Sequence, residues 1–229
     1  MTSALEPVDT APAAPPHTLR IDFVSDVVCP WCAIGLAALE QAIARLGDAV
    51  RVQIEFQPFE LNPQLPREGE DATEHLMRKY GMGLAQVESN REAIRARGAA
   101  LGFTFRIDRR SRVVNTFDAH RLLHWAALEG RQRALKHALL EAYFSDGADV
   151  SDAAMLTRLA GAAGLDAARA QAILASDTYA AEVRERERHY TDRGIRAVPS
   201  VIVNDRHLIQ GGQPVETFEA ALRQLAGLD

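Results

Sequence analysis

Cys29 and Cys32 are the only two cysteines in the chain, and they stand together as C-P-W-C. Two thiols at this spacing can close into a ring or open again, which makes thiol–disulfide exchange the first chemistry to consider. The bare spacing also fits two unconnected core cysteines or half of a metal site. A disulfide-held scaffold would use more cysteines at longer spacing. A structural zinc site needs four ligands. There is no second C-x-x-C, and His17, His75, His120, His124, His137, His189 and His207 are scattered without a ligand pair at finger spacing. No metal site is expected.

The flanking residues favour redox chemistry. Leu19-Arg20-Ile21-Asp22-Phe23-Val24 alternates and then turns apolar, as a buried strand does. From Ala33 to Leu46, the residues Leu36, Leu39, Ile43 and Leu46 form one apolar helical stripe. Cys29 therefore falls between a strand end and a helix start, and Pro30 suits the first helical turn. Free backbone N–H groups and the positive end of the helix dipole favour a thiolate there. The thiolate is the attacking species in exchange, so Cys29 is expected to be the accessible nucleophile. Cys32, one turn on, is expected to be the shielded resolving thiol, with Pro30 and Trp31 tuning the redox potential.

Val50, Val52, Ile54 and Phe56 alternate with Arg51, Gln53 and Glu55 as a second strand. Strand, helix and strand in this order suit a right-handed parallel crossover. After the Pro-rich loop F-E-L-N-P-Q-L-P-R-E-G-E, strand signals almost vanish from Asp71 to Arg193. Five to seven helices are expected there. One carries Leu84, Val87, Arg91 and Ile94; others have N-caps at Asn115, Asp152, Asp166 and Asp177. Strand character returns at Pro199-Ser200-Val201-Ile202-Val203 and His207-Leu208-Ile209 around an Asn204-Asp205 turn. A last helix carries Val215, Phe218, Leu222 and Leu225. The expected fold class is α/β: a core sheet, residues 19–65 and 194–229, interrupted by an all-helical insertion, residues 66–193, behind a flexible leader, residues 1–18.

Composition narrows the function classes. With 229 residues, 47% hydrophobic and 25% charged, the chain is neither a disordered polymer, a collagen-like fibre nor a disulfide-rich miniprotein. A net charge of −5 argues against a nucleic-acid or anionic-membrane partner. No stretch reaches the ~18 apolar residues of a membrane span. The N-terminus lacks the basic start and apolar run of a secretory signal, so a cytoplasmic location is expected. Only Lys79 and Lys136 among the 26 basic residues are lysine. Arg106, Arg109, Arg110 and Arg112 read as a solvated loop, and the run Arg184-Glu185-Arg186-Glu187-Arg188 as an exposed helix face. Gly81-Met82-Gly83 lacks the strand and the third glycine of a nucleotide fingerprint. No cofactor is expected, and electrons should pass to or from a separate thiol partner. Oligomeric state carries no signal here.

The strings D-F-V-S-D-V-V-C-P-W-C-A-I-G, F-E-L-N-P, N-T-F-D-A-H-R-L-L-H and A-V-P-S-V-I-V-N resemble the DsbA-like thioredoxin-fold family, most closely its FrnE-type dithiol–disulfide oxidoreductases. The resemblance implies a thioredoxin core with a helical insertion. It also implies a cis Val198-Pro199 bond facing the dithiol, with Val198 holding an incoming substrate through its main chain. The N-T-x-x-A-H-R-L helix should lie near the active site; His120 could line the cleft or be an ordinary buried or exposed histidine, and has no assigned role. The second cysteine pair that some FrnE-type proteins carry is missing here. The implied activity is exchange with thiol- or disulfide-containing protein or small-molecule substrates. Rival readings are a glutathione-dependent isomerase or transferase of the kappa-type branch, which generally has Ser where Cys29 stands, a non-catalytic binding or chaperone-like module, and a metal-binding dimer.

Overall fold

The computed structural model describes residues 17–66, 68–106 and 112–228. Strand β1 (His17–Ser25) runs parallel to β2 (Val50–Pro58), joined by helix α1 (Pro30–Leu46). The first strand begins earlier than the apolar pattern suggests, because His17 and Thr18 already pair with Val50 and Arg51. The rest of the expected leader lies outside the described residues. At the other end of the chain, β5 (Ser200–Val203) and β6 (His207–Gln210) complete a mixed sheet in the order β2-β1-β5-β6. β5 runs antiparallel to β1, pairing Ile21 with Val203 and Val24 with Ser200. Asn204 and Asp205 take φ of 52° and 58°, the positive values a tight hairpin turn of this hand requires.

The apolar stripes read on the first and last helices face the core, whereas of the stripe Leu84, Val87 and Ile94 only Val87 and Ile94 are buried and Leu84 stands exposed. Leu36, Leu39 and Leu46 of α1 are buried, and Ile43 is partly so. They meet Val215, Phe218 and Leu222 of α9 (Val215–Leu225). Each such side chain taken fully out of water contributes ~1.5–3 kcal/mol. Arg45 ties the two helices at their surface through Glu216 and Glu219, both at 3.1 Å.

Between β2 and β5 the described residues form seven helices: α2 (Ala72–Tyr80), α3 (Leu84–Ala100), α4 (Phe117–Leu128), α5 (Gln132–Glu141), α6 (Ala153–Ala162), α7 (Ala167–Leu174) and α8 (Ala180–Asp192). Asp152 and Asp166 cap as expected, accepting from the Met155 and Arg169 N–H groups. Two caps differ. Thr116, not Asn115, holds the N-cap position of α4, while the Asn115 carboxamide still accepts the Phe117 N–H at 2.9 Å. Asp177 offers its backbone carbonyl to Ala180, and Tyr179 occupies the N-cap position of α8 at φ 64°. A two-residue antiparallel ladder, β3 (Glu70–Asp71) with β4 (Arg112–Val113), also interrupts the helices. Two residues are too few for an alternation to register. Gly69, at φ 64°, leads into this ladder, and a Cβ there would run into the Val113 carbonyl.

β2 is an edge strand. Its backbone at Phe56 is closed by the Gln132 carboxamide, which accepts the Phe56 N–H at 2.9 Å and donates to the Phe56 carbonyl at 2.8 Å. A side chain from α5 thus does what a neighbouring strand would do. Among the described residues, no helix is long and apolar enough to cross a membrane.

Candidate functional site

The dithiol sits where β1 hands the chain to α1. Cys29 is the N-cap residue (φ −89°, ψ 112°), Pro30 follows inside the first turn, and the Cys29 carbonyl accepts the Cys32 N–H at 3.0 Å. The two sulfurs are unlinked. Cys29 Sγ donates to the Val198 carbonyl at 3.8 Å and makes no side-chain cap bond to α1. A protonated thiol needs an acceptor, which the helix N–H groups expected beside it are not. Exposure is also smaller than expected: Cys29 is 4% exposed and Cys32 0%.

The difference between the two lies in what each faces. Cys29, Pro30, Trp31 and Val198 form one wall of a cavity of about 310 Å³, and Cys32 is not part of its lining. The opposite wall comes from the helical segment, with Leu76 and Tyr80 of α2 and Val87 and Ile94 of α3. Trp31 faces two ways. It is 37% exposed at this cavity, and its ring also packs under the Arg97 guanidinium, 5.4 Å from the centroid. Pro199 follows a cis Val198-Pro199 bond and is buried behind the cavity. Its ring rests on Gly35 of α1, where a Cβ would lie 3.0 Å from Pro199 Cγ. Gly212 makes a matching approach, since a Cβ there would lie 3.0 Å from the Trp31 carbonyl. These two glycines let the start of α1 touch the loop that carries Val198. A lone glycine inside the α1 pattern was the sequence signal for such a contact.

A charged group lies beneath the dithiol that local sequence gave no reason to assemble. Asp26 is fully buried; its Oδ2 accepts the Leu61 N–H at 2.7 Å, and its Oδ1 stands 3.4 Å from His120 Nε2. Burial opposes its ionisation, but His120, the Leu61 N–H and Thr116 together hold the carboxyl below its usual range. Lys136 of α5 is also fully buried; desolvation pulls it down, while Cys32, Asp26 and Cys29 pull it back up. Burial pushes the Cys32 thiol well up, and Cys29 adds to this; the charge of Lys136 and the Asp26 N–H act the other way. Lys79 donates to the Leu61 carbonyl and to Asn62 Oδ1 at 2.9 and 2.7 Å, and both of those residues line the cavity. Both lysines of the chain thus act on the charges of this site.

His120 does not line the cavity of Cys29. It belongs to the wall of a second one, of about 430 Å³, along β2 and α4. The mixed-sign run on α8 is only partly an exposed face. Arg184 bridges Glu187 and the buried Glu60 and lies over the Phe117 ring at 3.8 Å, because Glu60 needs a cation once it leaves water. Of the arginine cluster, Arg109 and Arg110 lie outside the described residues. Arg106 is exposed, and Arg112 donates to the backbone carbonyls of Glu68 and Gly69.

A vicinal dithiol at the start of the first helix, a cis-proline loop against it and a helical segment set into the sheet's connections define a thioredoxin-fold protein with an insertion. The chain belongs to the family of the DSBA-like thioredoxin domain, whose model matches residues 20–223. It is similar to the uncharacterized protein YwbO of Bacillus subtilis, 29% identical over 90% of this chain and 96% of that one. Among solved structures it resembles a probable DsbA oxidoreductase of Streptomyces coelicolor, 37% identical with a TM-score of 0.84 over 91% and 90% of the two chains. The cytosolic disulfide reductase DsbM of Pseudomonas aeruginosa, 16% identical, shares the fold with a TM-score of 0.61 over 90% and 98%. The family is one of thiol–disulfide oxidoreductases, and the paired cysteines of this chain have the C-x-x-C spacing its chemistry uses.

Proposed function

We propose that this protein exchanges its Cys29–Cys32 dithiol or disulfide with protein or small-molecule thiol substrates. Cys29 is the nucleophile. Its thiolate attacks one sulfur of a substrate disulfide, the substrate S–S bond breaks, and the far sulfur leaves as a thiolate that takes a proton. Cys32 then attacks Cys29 Sγ in the mixed disulfide, releasing the second substrate sulfur and leaving the Cys29–Cys32 disulfide. The reverse sequence oxidises a substrate dithiol, and direction follows the potential of the compartment. A cytoplasmic address favours reduction or isomerisation, with electrons supplied by a separate small thiol or protein partner. Val198 offers main-chain contact to an extended substrate, Pro199 braces that loop, and Pro30 and Trp31 tune the potential. In this reading residues 19–65 and 194–229 form the FrnE-type core, and residues 66–193 the insertion that roofs the cavity.

The observation that supports this most directly is the asymmetry of the two sulfurs, one walling a cavity and the other sealed behind it. A Cys32→Ser variant incubated in cell extract should accumulate mixed disulfides at Cys29, released by dithiothreitol. Identification of the captured molecules names the substrate class. Retention of exchange activity by Cys29→Ser, or adducts on residue 32 in wild type, would overturn the assignment. Glutathione-transferase turnover by Cys32→Ala would favour a kappa-type activity instead.

A further inference from the structure

Each exchange step leaves a substrate sulfur that must take up a proton inside the Cys29 cavity. Few of the side chains facing that cavity can supply one. Asn62 and Asn90 do not titrate, and the Arg91 guanidinium, which donates to Glu88 and to Thr73 Oγ1, keeps its protons near neutrality. Tyr80 holds its proton more tightly than usual, because burial and the charge of Cys29 both oppose its ionisation. Histidine is the side chain that ordinarily titrates near neutrality, and His75 is the histidine among the residues lining this cavity.

The surroundings of His75 suit a proton carrier. It stands in the first turn of α2, whose cap Asp71 accepts the Thr73 and Glu74 N–H groups at 2.8 and 2.9 Å, and it is buried. Its Nδ1 lies 3.2 Å from Glu70 Oε2. Glu70 is fixed in turn by Arg78 and by its place in the β3–β4 ladder, opposite Val113, which also lines the cavity. His75 and Arg78 hold the Glu70 carboxyl below its usual range against desolvation, so Glu70 is an ionised acceptor. An acceptor at Nδ1 places the fixed hydrogen there and leaves Nε2 as the nitrogen at which a proton comes and goes. Nε2 has no hydrogen-bond partner among the described residues.

We propose that His75 is the general acid–base of the exchange reaction: its Nε2 gives a proton to the substrate sulfur that Cys29 displaces, and takes one from a substrate thiol in the reverse direction. The inference rests on Cys29 being the nucleophile. Displacement at a disulfide runs in line, so the leaving sulfur stands at least two S–S lengths, about 4 Å, beyond Cys29 Sγ. That direction leads toward the wall that α2 and α3 provide. In the step, a lone pair of the Cys29 thiolate forms the bond to the near sulfur and the substrate S–S bond breaks. Its electron pair goes to the far sulfur, which takes the Nε2 proton. The neutral imidazole then regains a proton from solvent, in place of the one that Cys29 released on ionising. No oxidant or reductant takes part besides the substrate disulfide and the protein dithiol. Glu70 is the positioning residue: it holds the ring and offsets its positive charge. Such help matters most for alkyl disulfides, whose thiolates are basic and leave slowly, and least for aromatic ones, whose thiolates leave readily. The cavity is thereby suited to disulfides of the cysteine type.

The test compares two disulfides on the full reduced chain at neutral pH. The aromatic one is 5,5′-dithiobis(2-nitrobenzoate), and the alkyl one is bis(2-hydroxyethyl) disulfide. Loss of protein thiols is followed by acid quench and mass spectrometry. In His75→Ala the ratio of the alkyl rate to the aromatic rate should fall about tenfold or more. A positioned general acid typically contributes ~10²–10⁴-fold, and a thiolate needs less help than most leaving groups. A histidine that only ties α2 to the ladder predicts both rates moving together at an unchanged ratio, and that result overturns the proposal. If His75→Ala fails to fold, His75→Asn gives the same reading, because its carboxamide can still donate to Glu70 but has no proton to give up. A wild-type protein that reacts with neither disulfide would sink the exchange reading itself. Reaction with both, at a ratio that His75 does not alter, sinks only the role of His75.

Discussion

Replacing Gly35 with alanine sets two effects of opposite sign against each other. Gly35 lies inside α1, where alanine is favoured over glycine by about 1 kcal/mol. Against that stands the contact with the proline loop. The new Cβ would lie 3.0 Å from Pro199 Cγ and 3.3 Å from Gly212 Cα, whereas carbon atoms settle at about 3.5–4.0 Å. Both neighbours are confined, Pro199 by its ring and its burial, Gly212 by the Trp31 carbonyl. Overpacking of this kind costs about 1–3 kcal/mol, so the net expectation is destabilisation of about 0–2 kcal/mol. At about 2–4 °C per kcal/mol for a chain this size, the melting temperature should fall by up to several degrees. The larger effect should be on turnover, because the strain is relieved by moving the Val198 carbonyl away from Cys29. Differential scanning fluorimetry and the rate of reduction of a small aromatic disulfide measure the two together. A melting temperature raised by 2–4 °C with unchanged turnover is what an unencumbered helical glycine would give, and it would refute the close approach of α1 to the loop.

Three further outcomes follow from particular contacts. Iodoacetamide added to the native reduced protein should label Cys29 and leave Cys32 unmodified until the chain is unfolded, as peptide mapping by mass spectrometry would show; prior labelling of Cys32 would reverse their roles. Gln132→Ala should lower stability by about 1–3 kcal/mol, because it leaves the N–H and C=O of buried Phe56 unpaired, and urea unfolding would detect it. The Asp26 carboxyl is held below its unfolded value, so its ionisation stabilises the fold above the unfolded pKa of about 4 and that contribution fades as pH falls through the lower folded value. The stability difference between wild type and Asp26→Asn should accordingly be flat near neutrality and shift against wild type in acid; a difference that shifts in favour of wild type as the solution is acidified would contradict the ionised, His120-supported carboxylate.

What could be read in the sequence was local. The alternation of β1 and β2, the stripes of α1 and α9 and the C-P-W-C between them needed only the periods of strand and helix, and Asp152 and Asp166 were legible as caps because a cap is defined within four residues. Val198 and Pro199 were reached through family resemblance, since nothing in A-V-P-S-V-I-V-N states which loop will face Cys29. The group under the dithiol was invisible for a different reason. Asp26, His120 and Lys136 are far apart in the chain; Asp26 and His120 come within 3.4 Å, and Lys136 is buried in the same half of the molecule, only because α4 and α5 pack on each other and on β2. Arg184 was misread on similar grounds: its partner Glu60 is 124 residues away, so its helix looked simply solvated.

The placement of that buried triad bears on how far the molecule can be taken apart. Asp26 belongs to the sheet half of the fold, while His120 and Lys136 are contributed by the intervening helices. Deleting those helices, or exchanging them for a relative's, would therefore remove the counter-ions from under the redox pair as well as its cover. A chimera that keeps C-P-W-C intact would inherit a dithiol with a different electrostatic foundation, and its potential would follow the donor of the helices as much as the donor of the cysteines.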